Sequence, residues 1–310
     1  MTDSDLNSLL TPPELPEGSH DPLDVLLRDV VSLSPDDLAQ ATHVIMGCPQ
    51  DLGVRRNHGR PGAAAAPTAI RQALYKLKPP ISDAVILADI GDVATTGELE
   101  AIHERLEAVV SGLLQLGKTV ISLGGGNDIS FPDASAMGKA YPGLAAVNMD
   151  AHLDMRKSAI RHSGTPYRNL IDSGILRPEH LHEVGIAPWA NSPTYLADAQ
   201  SMGVHIHTLH SIEQTGHRAC FDSLFAEISG QPLFAGLDMD SIRASDAPGV
   251  SASSPIGLSA RAALDFADHC RAHGQTRIFE ITEVNPTFDI DGRTAKLAAL
   301  AVYTFIYGTK

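Results

Sequence analysis

The stretch Leu144 to Asp154, LAAVNMDAHLD, runs from an apolar segment straight into two aspartates and a histidine. Its first six residues have the length and composition of a buried strand, and DAHLD follows where that strand should stop. Asp150, His152 and Asp154 stand at i, i+2 and i+4. In extended chain that spacing turns all three to one side, in steps of about 6 to 7 Å.

Working outward, other runs share this apolar, β-branched character: THVIMGC, AVILADI, TVISLG, HLHEVGI, VHIHTL, PLFAGLD and RIFEITEV. Amphipathic stretches lie between them, among them PTAIRQALYKL, ELEAIHERLEAVVSGLLQL and SIEQTGHRACFDSLFAEI, which read as helices. Pro67 suits an early helical position and Gly117 a C-terminal stop. The alternation is that of βαβ units around a parallel sheet, an α/β protein. No Gly/Ser-rich or Pro-rich linker interrupts the middle, so residues 36–310 read as one domain behind a partly irregular arm, 1–35.

Ligands of open parallel sheets sit beyond the carboxyl ends of the strands. Those ends are polar here: TVISLG leads to Gly-Gly-Asn127-Asp128, PLFAGL to Asp238-Met239-Asp240, and RIFEIT to Glu283. If the ends are neighbours, Asp150, Asp154, Asp238 and Asp240 converge. Four buried like charges must protonate or take up cations. Two divalent ions neutralise four carboxylates, and one imidazole among carboxylate oxygens favours a hard ion such as Mn²⁺, with nickel also able to accept these donors. Paired ions about 3.5 to 4 Å apart can share a water and lower its pKa for attack on a carbon electrophile. The glycines of LGGGND, Leu123 to Asp128, are expected to let the backbone approach such a cluster and to keep its mouth open.

Composition narrows the partners. The chain has 310 residues, is 43% hydrophobic and carries a formal charge of −14. That balance argues against a nucleic acid or anionic membrane partner, which needs a basic surface. Cys48, Cys220 and Cys270, an odd number at wide spacing, read as reduced thiols of a cytoplasmic protein. MTDSDLNSLLTPPELPEGSHDP lacks the basic start and apolar core of a secretory signal, and no apolar run reaches the ~18 to 20 residues of a membrane span.

AVNMDAHLDMR, LFAGLDMDS and EITEVNP together resemble the binuclear-manganese ureohydrolases: arginases, agmatinases and formimidoylglutamases. The likeness runs from GVRRNHGRPGAAAAPTAIR to EVNPTFDIDGRTAKLAA, most of the chain. It implies a three-layer αβα fold with a mainly parallel eight-stranded sheet, assembled as trimers or hexamers. It further implies that Asp150 and Asp238 bridge two metal ions, that Asp154 completes one site, and that His152 with Asp240 completes the other. Glu283 matches the family glutamate that pairs with the amidinium or guanidinium of the substrate, a small molecule.

The details resemble formimidoylglutamase most. Arg156 stands where arginases carry an asparagine that touches the α-carboxylate, and a guanidinium holds a carboxylate bidentately. GTPYRN points the same way. Arg60, Arg161, Arg168 and Arg243 are further candidates for a substrate with two carboxylates. The implied reaction is hydrolysis of N-formimidoyl-L-glutamate to L-glutamate and formamide. The alternatives are a guanidino-acid hydrolase or agmatinase-like enzyme releasing urea, and a non-catalytic arginase-fold binding or assembly module. Three departures stand out. Asn127 occupies the place of a histidine metal ligand, as a weaker neutral donor. The pattern Asp-x-Asp-x-x-Asp-Pro reads Asp238-Met239-Asp240-Ser241-Ile242-Arg243-Ala244. The histidine that agmatinases carry before Gly-Thr-Pro is Ser163, with His162 one residue earlier as a candidate acid.

Overall fold

The computed structural model describes residues 9–17, 21–33, 35–80 and 85–308. Its strands are β1 (Leu10–Thr11), β2 (His43–Cys48), β3 (Leu87–Val93), β4 (Thr119–Gly124), β5 (Ala145–Met149), β6 (Leu181–Ile186), β7 (His205–Thr208), β8 (Leu233–Asp238) and β9 (Thr276–Thr282). They form one sheet in the order β1-β3-β2-β4-β9-β8-β5-β6-β7. The eight expected strands appear as β2 to β9, all parallel to one another. A ninth, β1, comes from the expected arm and pairs antiparallel at the edge through Leu10↔Val93 and Thr11↔Asp92. Of the rest of that arm, residues 1–8, 18–20 and 34 lie outside the described residues.

Both faces of the sheet are covered, which is why its strands read as nearly continuous apolar runs. Successive side chains alternate between two cores. Ile45, Ile121, Val147 and Ile281 pack on one face with Ile70, Leu74, Phe266 and Val302 from the helices Ala66–Leu74, Ala260–Ala272 and Arg293–Tyr307. Val44, Val120, Ala146 and Ile278 pack on the other with Leu106 and Met137 from Leu99–Gln115 and Ser130–Ala140. Each fully buried Leu or Ile stabilises the stack by about 1.5 to 3 kcal/mol. Three αβα layers result.

Two sequence expectations shift. AVILADI starts early: its first residue lies outside the described residues, and the strand itself runs Leu87–Val93. SIEQTGHRACFDSLFAEI is not one helix, because Gly216 at φ 84° separates Leu209–Thr215 from His217–Glu227. A residue at positive φ cannot continue an α-helix, and glycine adopts such a φ without a Cβ penalty. Gly117, at φ 72°, follows Leu99–Gln115 as expected. No described helix is long and apolar enough to cross a membrane.

What matters for function is the strand order. β4 and β5 are consecutive in the chain, yet β9 and β8 lie between them. The carboxyl ends of β4, β9, β8 and β5 therefore form one row. That row presents Asn127, Glu283, Asp238 and Asp150 along a single edge.

Candidate metal centre

β5 and β8 pair as far as Met149↔Leu237, so the next residues, Asp150 and Asp238, stand side by side. Each then folds back in the same way. Asp150 Oδ1 accepts the His152 N–H at 2.8 Å, and Asp238 Oδ1 accepts the Asp240 N–H at 2.8 Å. The expectation that DAHLD continues as extended chain is corrected here: β5 ends at Met149, and Asp154 lies at φ 46° in a loop. Looping, not strand alternation, gathers the ligands. Donor atoms of Asp150, His152 and Asp240 lie within 4.8 Å of one another, as do those of Asp150, Asp154 and Asp238. Asp150 belongs to both sets.

The electrostatics demand a counter-charge. Burial first, then Asp240, pushes the Asp150 carboxyl up to about 6. Burial and neighbouring carboxylates hold Asp154 and Asp238 well above the usual range. His152 Nδ1 lies 3.3 Å from Asp240 Oδ1 and 3.4 Å from Asp150 Oδ1, and Asp240 above all holds the imidazole in its charged form. One imidazolium cannot balance four buried carboxylates. The donor set, mostly carboxylate oxygen with one imidazole, fits a pair of hard divalent ions.

Asn127 opens the short 3₁₀ turn after β4 and is buried. Its Nδ2 donates to Asp154 Oδ2 at 2.6 Å and Asp150 Oδ2 at 3.4 Å, while Oδ1 accepts from Ser130 at 2.8 Å and Thr282 at 3.2 Å. This orientation aims the amide nitrogen, not the oxygen, at the carboxylates. Rotating the amide by half a turn exchanges the two, and both hydroxyls can accept as well as donate. Asn127 also donates its backbone N–H to Glu283 Oε1 at 2.7 Å. Glu283 Oε2 is buried without a hydrogen-bond partner among the described residues, and burial pushes this carboxyl up to about 8. Glu283, at φ 63°, shares with Asp154 a left-handed backbone that non-glycine residues rarely adopt.

Arg156 reaches from the other side. A cavity of about 230 Å³ is lined by His152, Asp154, Arg156, Asn191 and Tyr195. Arg156 Nη1 donates to Asn57 Oδ1 at 3.1 Å, and Asn57 Nδ2 donates to Ser163 Oγ at 3.0 Å. His162 is buried and its Nδ1 accepts the Gly164 N–H at 3.1 Å. Burial and then the Arg156 charge lower its basicity. Both act against the imidazolium, and the Gly164 N–H on Nδ1 favours the tautomer with its proton on Nε2.

The other arginines are engaged elsewhere. Arg168 pairs with Asp172 and Asp198, and Arg243 with Asp246. Arg60 donates to the carbonyls of Val250 and Ser251 and lies over the Phe288 ring. Arg161 lies over Phe131. The structure does not turn these four guanidinium groups toward a shared ligand.

Sequence reasoning missed Asn57, Asn148 and Thr282. Asn148 donates to Asp150 Oδ2 at 3.2 Å and to Glu183 at 2.9 Å. A signal was present, since Asn148 interrupts an otherwise apolar strand. The glycines of LGGGND also need correction. A Cβ on Gly125 would stand 1.6 Å from the Gln50 carbonyl oxygen, and one on Gly124 3.0 Å from that of Ile281. They admit neighbouring chain rather than the cluster itself; a Cβ on Gly126 alone comes within 3.4 Å of Glu283.

Comparison with known proteins agrees with this geometry. The arginase family model matches residues 41–308. A formimidoylglutamase of Ralstonia nicotianae is 33% identical over 301 residues, covering 91% of this chain and 89% of its own. A crystal structure of Trypanosoma cruzi formiminoglutamase with Mn²⁺ superposes with a TM-score of 0.85 at 30% identity, over 92% of this chain and 98% of the other. Formimidoylglutamase from Bacillus subtilis gives a TM-score of 0.87 at 26% identity, over 95% of each chain. Aspartates gathered at the carboxyl edge of an αβα sheet, and a match extending over nearly the whole chain, lead to one conclusion: this protein belongs to the arginase family.

Proposed function

We propose that this chain is a formimidoylglutamase, hydrolysing N-formimidoyl-L-glutamate to L-glutamate and formamide at a binuclear manganese centre. Asp150 and Asp238 would bridge the ions, Asp154 would complete one site, and His152 with Asp240 the other. Asn127, its amide turned, would give the Asp154 site an oxygen. That donor is neutral and weaker than imidazole, so the two ions would be held unequally. When bound, the ions supply an acidified water as nucleophile and polarise the carbon it attacks.

The protein's own residues do the rest. Glu283 is anchored through Oε1 and offers Oε2 to the amidinium N–H groups. Arg156, braced by Asn57, holds a substrate carboxylate, and His162, whose Nδ1 accepts the Gly164 N–H, would turn its Nε2–H toward the substrate as a donor. C–N cleavage leaves the glutamate nitrogen needing a proton, which the Asp154 carboxyl carries from the attacking water. Residues 36–310 form the catalytic unit behind the arm 1–35. The chain works in the cytoplasm as a homotrimer or hexamer, a state that light scattering reads directly.

The observation that carries this reading is Arg156 on the rim of the cavity that His152 and Asp154 also line. A cation beside the centre suits a substrate bearing carboxylates and opposes agmatine, whose tail is cationic. Guanidino acids share that anionic end, so the products decide. With Mn²⁺, formimidoylglutamate should give equimolar formamide and glutamate, while guanidino acids and agmatine give no urea. Arg156→Ala should raise KM for formimidoylglutamate by about 10-fold or more, the loss of a charge-assisted hydrogen bond. An unchanged KM removes the carboxylate role, and urea release in place of formamide removes the proposed activity.

A further inference from the structure

The carboxylate centre sits at the carboxyl ends of the strands, whereas the amino ends of β6 and β7 carry a different donor set. His182 is the second residue of β6, His205 the first of β7, and the two are register partners facing the same side. Their rings stack with centroids 4.4 Å apart, and His207 stacks on His182 at 5.8 Å. Glu227, the last residue of the helix His217–Glu227, brings Oε1 to 3.9 Å from His205 Nδ1. One donor atom from each of His182, His205 and Glu227 falls within 4.8 Å of the other two. His182 is 1% exposed, and its Nδ1 is buried with no hydrogen-bond partner among the described residues. A stack of imidazoles with an unpaired buried nitrogen is a costly way to fill space, since an apolar ring would pack there without the desolvation penalty.

We infer that His182, His205 and Glu227 bind one borderline divalent transition-metal ion of the zinc class, separate from the carboxylate centre. Two imidazoles and one carboxylate are a three-ligand zinc set, with a water in the fourth position. Tetrahedral bonds of about 2.0 to 2.1 Å put ligand atoms roughly 3.3 Å apart. The 3.9 Å gap closes by a rotamer adjustment of Glu227, whose side chain is 54% exposed. The exposed parts of His205 and Glu227 also give the ion its route from solvent. With a single carboxylate the site does not suit Mn²⁺ as the carboxylate centre does, so donor softness sorts the two metals within one chain. A bound ion ties β6, β7 and the helix His217–Glu227 together and stabilises this edge of the sheet by binding only the folded state.

The test uses the full chain saturated with Mn²⁺ and then exposed to Zn²⁺, in three forms: wild type, His205→Ala and Glu227→Gln. Retained zinc is counted by elemental analysis after gel filtration, and Tm is recorded with and without Zn²⁺. Any exchange of zinc into the carboxylate centre is common to all three and cancels in the comparison. Wild type is expected to retain one zinc per chain more than either variant, and its Tm alone to rise by several degrees. Glu227→Gln changes a half-exposed side chain without altering its shape, so it tests the ligand and not the fold. Equal zinc content and an equal Tm response in all three forms would overturn the assignment.

Discussion

Two buried acid clusters in this protein solve the same problem differently. Beside β3, Asp89 is met by Arg71, whose guanidinium donates to it at 2.8 and 3.0 Å and also reaches Asp92 and the Gly91 carbonyl. Tyr75 adds its hydroxyl to Asp89. Arg71 is 1% exposed and, despite burial, is held charged by its two aspartates. At the carboxyl edge of β5 and β8 no such arginine is supplied among the described residues. Four aspartates there share the one imidazole of His152, and burial pushes the carboxyls of Asp150, Asp154 and Asp238 upward. The cluster with its own cation is structural; the cluster without one is a receptor for cations.

The comparison can be broken from either side. Asp238→Asn should remove one bridging charge, drop the manganese content below two per chain and cost at least about 10³-fold in kcat/KM, while Tm of the metal-free protein stays level or rises. A variant with two ions and full activity would sink the role of Asp238. Arg71→Ala should do the reverse. It strands Asp89 in the core and lowers unfolding free energy by about 3 to 5 kcal/mol, read as a lower urea midpoint, with metal content unchanged.

Smaller effects sharpen the picture. Glu283→Gln keeps both ions but weakens the hold on the amidinium, so kcat/KM should fall by about 10²-fold with metal stoichiometry intact. Asp265 tests counter-charge near the surface. Burial opposes its ionisation, but Arg218, His217 and Arg261 outweigh burial and hold its carboxyl below the usual range. With the folded pKa depressed, the unfolded chain takes the proton first. The contribution is therefore full above about pH 4 and is lost as pH falls through the lower folded value. Asp265→Asn should cost up to about 1 kcal/mol at pH 7 and progressively less on acidification toward pH 3, in parallel denaturation series.

Much of this was legible in the chain. The strands β2 to β9 announce themselves because burial on both faces leaves runs such as TVISLG and PLFAGLD with little polar content. The ligands announce themselves because polar residues end those runs. The loop conformations do not. Asp154 and Glu283 adopt positive φ only because surrounding contacts, including the Glu283 N–H to the Gly125 carbonyl at 2.9 Å, over-determine them. Local propensity predicts the opposite, hence the mistaken extended reading of DAHLD. Arg71 with Asp89 was invisible for another reason: a pair 18 residues apart, set by how a helix lands on a strand, has no fixed spacing to recognise. The brace of Asn57 on Arg156, 99 residues apart, was hidden in the same way.

The most direct measurement follows formamide release from formimidoylglutamate as Mn²⁺ is returned stepwise to chelated protein. The expectation is no turnover without metal and a rise that completes only with the second, more weakly held equivalent. Turnover that survives chelation, or that saturates at or below one ion per chain, would contradict the binuclear centre.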